Sequence, residues 1–408
     1  MGDAMGDAVG DAVAAYFGEL AASVSQRWSA LGRRAGQLAE ASAGALEQLR
    51  PGPEVGALPV LEHAVRSGAL PADQSPLSDI FGQPPLVMWS GPDFFIQALT
   101  WIDGTTDIHQ HGFEGAFAVA EGASLHVPYG FDLDATAADG HLVAGQLTMG
   151  RPEILRPGAV RPIDAGFGFV HALFHLERPT VTIVVRNKSS GLPYPQYSYL
   201  RPGLGYDRLW SDRLVGKRLQ ALGAIHRLDP GAAQAATAEV IATAPPWVAF
   251  LALRDTIARS GFTDLVAELA ATLARRTGAV GPLIGPGLEG EAQQGAVLAR
   301  RGLLSERHHR TFLALLANLP DEASVHDVLE SLYPGCQPER LLLEWIAELS
   351  SPRYRGISGL RVGQAQQAAI RARLSDDNPM TEVDLRATLE GLSSGWAVPA
   401  FLHGLLSS

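Results

Sequence analysis

Ile108-His109-Gln110-His111-Gly112-Phe113-Glu114-Gly115-Ala116-Phe117-Ala118-Val119-Ala120-Glu121-Gly122 is the stretch on which the reading of the fold turns. Small and apolar residues run from Gly115 to Ala120 and a Glu-Gly pair closes them, which reads as a buried strand ending in a tight turn. Side chains alternate faces on an extended strand, so His109 and His111 point the same way and both imidazoles reach one ion. Outward from this stretch, residues 86–187 keep the same character. Gly, Pro and Asp recur at short intervals between runs of Val, Ile, Phe, Thr and Trp, the pattern of an all-β sandwich or barrel. Strands are expected over residues 86–89, 94–101, 115–120, 124–127, 142–149, 169–176 and 180–186.

The flanks read differently. Residues 12–49 are rich in Ala, Leu, Glu, Gln and Arg, and Phe17, Leu20, Val24, Trp28 and Leu31 recur at spacings of three and four. That spacing predicts an amphipathic helix or helical pair, ended by Pro51-Gly52-Pro53. The tandem Met-Gly-Asp-Ala start reads as frayed, and a short helical stretch is expected over residues 61–66. Beyond Tyr199 helical spacing returns, over residues 214–225, 232–244, 247–258, 265–275, 308–319, 325–332, 339–349 and 382–392. Pro282 and Pro286 make residues 279–290 read as a flexible connection, and residues 202–206 read as a loop leaving the barrel rather than a phosphate loop. The expected class is α+β, with an N-terminal helical segment over residues 1–83, an antiparallel β-barrel over 84–200 and a large α-helical domain over 201–408.

Composition narrows the functions. A chain of 408 residues, 46% hydrophobic and 18% charged, has the length for two or three packed domains. Its net charge of −11 and pI of about 5.5 have the wrong sign for a phosphate-neutralising surface, so nucleic acid is not expected as a partner. No run of about 18 apolar residues suggests a membrane span. Asp stands at the start where a signal peptide carries Lys or Arg, so a cytoplasmic location is expected. The single cysteine, Cys336, makes no internal disulfide, and a metal must be held by His, Asp or Glu.

Residues 86–187 resemble the cupin superfamily. Gly104, His109, His111 and Gly122 match its first motif, and Gly168-Phe-Val-His171 matches its second, with Gly166 in the place of a Pro and His175 in the place of an Asn. The resemblance implies a cupin-type β-barrel with an interior metal. The Glu that the first motif usually carries is expected at position 115, which is Gly, while Glu114 lies one residue early and so on the opposite face. The ligand set that follows is His109, His111 and His171, similar to the three-histidine site of cysteine-dioxygenase-like cupins. A local bulge would instead turn Glu114 inward and restore a carboxylate, so both sets stay open, with three histidines preferred. The strand reading Thr182-Ile-Val-Val-Arg186 has no Ser-x-His-x-Tyr element, which speaks against a thiol substrate.

Several residues around this set carry further expectations. His175 shares a strand face with His171 and Leu173 and is a candidate catalytic residue, as a substrate contact, a support for the ligands or an alternative third ligand. Arg186 shares its face with Thr182 and Val184 and is a candidate for gripping a substrate carboxylate, with a barrel-rim ion pair as the plain alternative. His126, on the strand after the first motif, either flanks the pocket or is a partly exposed barrel histidine, the latter being preferred. His308 and His309 are adjacent on a helix and should diverge, so no joint site is expected there. The function implied is a mononuclear non-haem iron(II) oxygenase acting with O₂ on a small polar metabolite such as an amino acid derivative. Another divalent metal with isomerase or lyase activity, or a non-catalytic binding or scaffold cupin, are the alternatives. A homodimer through helices or barrel is compatible with this reading.

Overall fold

The computed structural model describes residues 2–34, 36–66, 70–75, 81–188, 195–354, 357–358 and 364–375, with side chains from residue 12 onward. Three N-terminal helices, α1 (Gly2–Ala30), α2 (Leu38–Gln48) and α3 (Ala57–Arg66), lead into the β region. Its strands are β1 (Pro85–Ser90), β2 (Phe94–Trp101), β3 (Ile108–His111), β4 (Gly115–Glu121), β5 (Ser124–Ala137), β6 (Leu142–Met149), β7 (Glu153–Leu155), β8 (Val160–Ile163), β9 (Gly166–His175), β10 (Thr180–Asn187), β11 (Tyr197–Leu200) and β12 (Leu204–Asp207). Nine helices follow among the described residues: α4 (Arg213–Leu228), α5 (Pro230–Thr243), α6 (Pro246–Ser260), α7 (Asp264–Ala274), α8 (Ile284–Leu298), α9 (Arg307–Asn318), α10 (Glu322–Leu332), α11 (Pro338–Leu349) and α12 (Gln364–Leu374). The helix expected over residues 382–392 lies outside the described residues.

The strands form two antiparallel sheets. One has the order β1-β2-β10-β4-β8 and the other β6-β12-β11-β3-β9-β5-β7. In the second, β5 also pairs with β6, which closes β3, β9, β5, β6, β12 and β11 into a six-stranded ring. One strand serves both neighbours because β5 is long. Its first six residues lie along β9 and its last nine along β6.

Alternation decides what each sheet buries. On β10, Val181, Ile183 and Val185 face outward and join Ile96, Ala98, Ala116 and Ala118 under Phe17, Leu20, Val24 and Leu46 of α1 and α2. On β9, Val170, Ala172 and Phe174 face outward and pack under Phe312, Leu316 and Ile346 of α9 and α11. Leu142, Ala144 and Tyr206 of β6 and β12 pack against Phe250 and Leu253 of α6. The helices therefore cover the outsides of the sheets. The inward residues, Phe117 and Val119 of β4, Leu173 of β9 and Val184 of β10, form a separate apolar cluster between the sheets. A buried side chain of this size contributes about 1.5–3 kcal/mol, so both interior and exterior clusters hold the sheets in place.

Four differences from the sequence reading have physical causes. β5 runs ten residues beyond the expected end at 127, because Pro128, Gly130 and Asp132 pair with β9 and β6 and the strand continues past a bulge at Asp134. The stretch read as a loop leaving the barrel is the second half of a hairpin, with β12 pairing to β11 and to β6. The stretch read as a flexible connection is a 3₁₀ turn, Gly278–Leu283, running into α8. Pro286 falls in the first turn of α8, where no intrahelical donor is needed. Finally, α1 begins at Gly2, within the tandem repeat that reads as frayed. No helix among the described residues is long and apolar enough to cross a membrane.

Candidate metal centre

β3 and β9 carry the histidines. His109 on β3 lies directly opposite His171 on β9, and after a bulge His111 pairs with Gly166 rather than with the next residue in register. The side-chain nitrogens of His109, His111 and His171 come within 4.8 Å of one another, and all three residues are buried. His111 Nε2 and His171 Nε2 are 3.0 Å apart. Burial holds all three imidazoles below the ordinary histidine range, and the rings of His109 and His111 push His171 down further. They are therefore neutral at pH 7, the form that ligates a metal.

Hydrogen bonds to groups that only accept assign the tautomers. His109 Nδ1 is 2.9 Å from the Asp107 carbonyl oxygen and must donate to it, which leaves the Nε2 lone pair for the cavity. His126 Nδ1 is 2.8 Å from Glu153 Oε1, and His126 Nε2 is 3.0 Å from His171 Nδ1. The carboxylate of Glu153 is held down at about 2 by the hydrogen bond from His126, against the opposing effect of its burial, with further help from Arg161. His111 Nδ1 is buried without a hydrogen-bond partner among the described residues.

These residues fit a metal ion. Two nitrogens about 2.0–2.1 Å from one ion and about a right angle apart across it stand about 3 Å from each other. The His111 to His171 separation matches that edge.

Glu114 does not belong to the set. Its Oε2 accepts a hydrogen bond from the Gly36 backbone at 2.8 Å, in the turn between α1 and α2, on the far side of the sheet from the histidines. No local bulge turns it inward. Position 115 cannot take a carboxylate either, because a Cβ there would lie 1.8 Å from the Val185 carbonyl oxygen. Gly122, which closes the first motif, has φ of +77° and sits against Pro179 and Thr180, so only glycine suits that turn.

The histidines open on a cavity of about 60 Å³ between the sheets. Phe113, Phe117, Leu173 and Val184 form its apolar wall, and Gln97, Thr182 and Arg186 bring polar groups to it. Its described lining includes no helical residue. Arg186 lies on β10, across the interior from β3 and β9, with its guanidinium carbon 4.0 Å from the centre of the Phe113 ring and 5.1 Å from that of Phe95.

His175 is placed elsewhere. It does not line the cavity; its ring stacks on Trp101 at 4.4 Å and 22°, and its Nδ1 is 2.9 Å from Ser124 Oγ. Four residues along a strand separate it from His171 by about 13 Å of rise, which removes it as an alternative third ligand to the same ion.

Two expectations change. His126 is buried rather than partly exposed, because β7 and β9 flank β5 on either side of it. His308 and His309 do not diverge: their rings are 4.1 Å apart, and both Nε2 atoms reach Glu348 Oε2 on α11, at 2.9 and 3.3 Å. A carboxylate on the neighbouring helix draws together two rings that the helix alone would splay. Glu153 and Arg161 escaped sequence reading altogether, since each sits on a strand of three or four residues with no periodic signal.

No protein-family model and no curated protein matches this sequence. Among solved structures, a cupin-2 domain containing protein from Shewanella frigidimarina is 18% identical with a TM-score of 0.18, over 25% of this chain and 79% of its own. The polyketide cyclase RemF from Streptomyces resistomycificus is 15% identical with a TM-score of 0.18, over 32% of this chain and 72% of its own. A structure described with the DMSP lyases RdDddP and RnDddQII is 17% identical with a TM-score of 0.25, over 45% of this chain and 95% of its own. The antiparallel barrel carries His109, His111 and His171 as a group able to hold a metal ion.

Proposed function

We propose that this chain is a metal-dependent cupin enzyme, and within that class a mononuclear non-haem iron(II) oxygenase acting on a small anionic metabolite. The observation that carries the reading is the convergence of three neutral imidazoles, with His111 Nε2 and His171 Nε2 3.0 Å apart, in a cavity that Arg186 shares. His109, His111 and His171 would hold a divalent ion without neutralising its charge, and iron held there would supply O₂ activation.

The chain's own residues supply the rest. Arg186 grips a substrate carboxylate through its planar fork and points the other end of the molecule across the interior towards β3 and β9. The apolar wall of Phe113, Phe117, Leu173 and Val184 excludes bulk water from the reacting end. The volume of about 60 Å³ restricts the substrate to a few heavy atoms, such as a small amino acid derivative or hydroxy acid.

The same donors accept zinc, nickel or manganese, and with those metals isomerase or lyase chemistry replaces oxygenation. Metal analysis of protein purified without chelators or added metal, followed by O₂ uptake with a panel of small carboxylates, separates these readings. Stoichiometric iron and substrate-dependent O₂ consumption are expected. Replacement of His109, His111 or His171 by Ala should abolish both while the chain still folds. A chain that binds no transition metal refutes the enzyme reading, and iron without O₂ uptake on any small carboxylate refutes the oxygenase.

A further inference from the structure

We infer that Glu153 and His126 are positioning residues that lock His171 into the tautomer and orientation of a metal ligand. The inference rests on the metal-centre reading above and extends it to residues outside the cavity lining.

The contacts form one continuous chain from Arg161 to His171. Arg161 makes a two-point contact with Glu153, its Nε donating to Oε1 at 2.9 Å and its Nη2 to Oε2. An ionised carboxylate only accepts, so the hydrogen between Glu153 Oε1 and His126 Nδ1 belongs to the imidazole. His126 Nε2 is 3.0 Å from His171 Nδ1, and in the relay we infer His171 Nδ1 donates across this contact to His126 Nε2. That leaves the lone pair of His171 on Nε2, facing His111. Four strands take part: β8 holds Arg161, β7 Glu153, β5 His126 and β9 His171.

The three histidines differ in this respect. His109 donates to a neutral carbonyl, and His111 Nδ1 is buried without a hydrogen-bond partner among the described residues. Only His171 is backed by a charged group, relayed through a second imidazole. A ligand whose far N–H is held by a carboxylate is more basic and binds its metal more tightly, and loss of such a support costs about 10–100-fold in affinity. Glu153 is partly exposed, with 36% of its side chain open to solvent, whereas His126 is 2% exposed. The support thus reaches from the protein surface to the centre.

Cobalt(II) binding to the full-length protein stripped of metal tests this, measured by competition with a chromophoric chelator and by the visible spectrum of the bound ion. His126→Phe and Glu153→Ala should each weaken binding about 10–100-fold and alter the spectrum, with the melting temperature of the metal-free protein close to wild type. His126→Gln should recover most of the affinity, because its amide oxygen can accept from His171 Nδ1. Glu153→Gln should fall between, since it keeps an acceptor and drops the charge. Equal affinity in wild type, His126→Phe and Glu153→Ala overturns the inference. So does an equal loss in His126→Phe and His126→Gln that tracks a lowered melting temperature. A His171→Ala variant separates the two levels: if it loses cobalt while Glu153→Ala keeps it, the relay alone fails, and if it binds as wild type, the metal centre itself is misassigned.

Discussion

Gly115 and Val185 stand so close across the β4–β10 pair that a Cβ on Gly115 would lie 1.8 Å from the Val185 carbonyl oxygen. The position at which the motif spacing would put a carboxylate therefore has no room for any side chain. The nearest alternative, Glu114, is committed to the backbone of Gly36 on the other side of the sheet.

Gly115→Ala should therefore destabilise the folded chain by about 1–3 kcal/mol or more, the cost of forcing strands apart in a packed interior. Glu114→Ala should leave metal content unchanged. Urea unfolding and metal analysis of the two variants check this, and a drop in metal content with Glu114→Ala would restore the carboxylate to the ligand set.

The stability of the metal-free protein should fall on acidification. His109, His111, His171 and His175 are all held below the ordinary value of 6.5, chiefly by burial. Each accepts a proton in the unfolded chain before it does in the folded one. Their contribution is complete above about pH 6.5 and is lost as pH falls through that value towards the lowered folded pKa. Each group adds a slope of about 1.4 kcal/mol per pH unit within that window. Urea midpoints measured between pH 7.5 and 5 should drop steadily below 6.5, and bound metal should oppose the drop by competing with protons. A midpoint indifferent to pH over this range would contradict the neutral, buried state of these rings.

The alternation that places these rings was legible in the sequence, and the long-range contacts were not. His171, Leu173 and His175 on β9, like Thr182, Val184 and Arg186 on β10, share faces as their spacing requires. Strand pattern also located β2 and β6 to the residue. In contrast, β7, β8, β11 and β12 are three or four residues long, too short for periodicity to register, and exist because distant strands pair with them. The burial of His126 depends on that pairing. Its partner Glu153 is 27 residues away, so nothing local distinguishes it from a surface acid. The helix α8 hides behind Gly285, Pro286, Gly287 and Gly290, residues whose local preference is overridden by packing on β11 and α9.

His175 should separate stability from metal binding. It is fully buried, stacked on Trp101 and paired with Ser124, and it lies a strand's length from the centre. His175→Ala should cost about 2–4 kcal/mol, as truncation of a large buried ring does, and leave the metal in place. Thermal melts with and without metal show whether the loss is confined to folding. Removal of the metal by this substitution alone would move the third ligand to His175.

Arg186 bears on substrate choice. Its guanidinium lies over Phe113, whose ring is 4.7 Å from that of His111, so a molecule in the cavity would meet a cation close to the three histidines. Hydrogen bonds to a charged partner contribute about 1.5–3 kcal/mol, so Arg186→Gln should raise KM for a carboxylate substrate about 10- to 100-fold. Arg186→Lys should recover part of this, since an ammonium keeps the charge but not the planar fork. Metal content should stay at the wild-type level in both variants, because neither change touches a histidine. For the amide or ester of the same substrate, which lacks the anionic group, wild type and Arg186→Gln should turn over alike. Steady-state kinetics on the acid and its amide tests the assignment, and an Arg186→Gln enzyme with unchanged KM for the acid would place the substrate's anion elsewhere in the cavity.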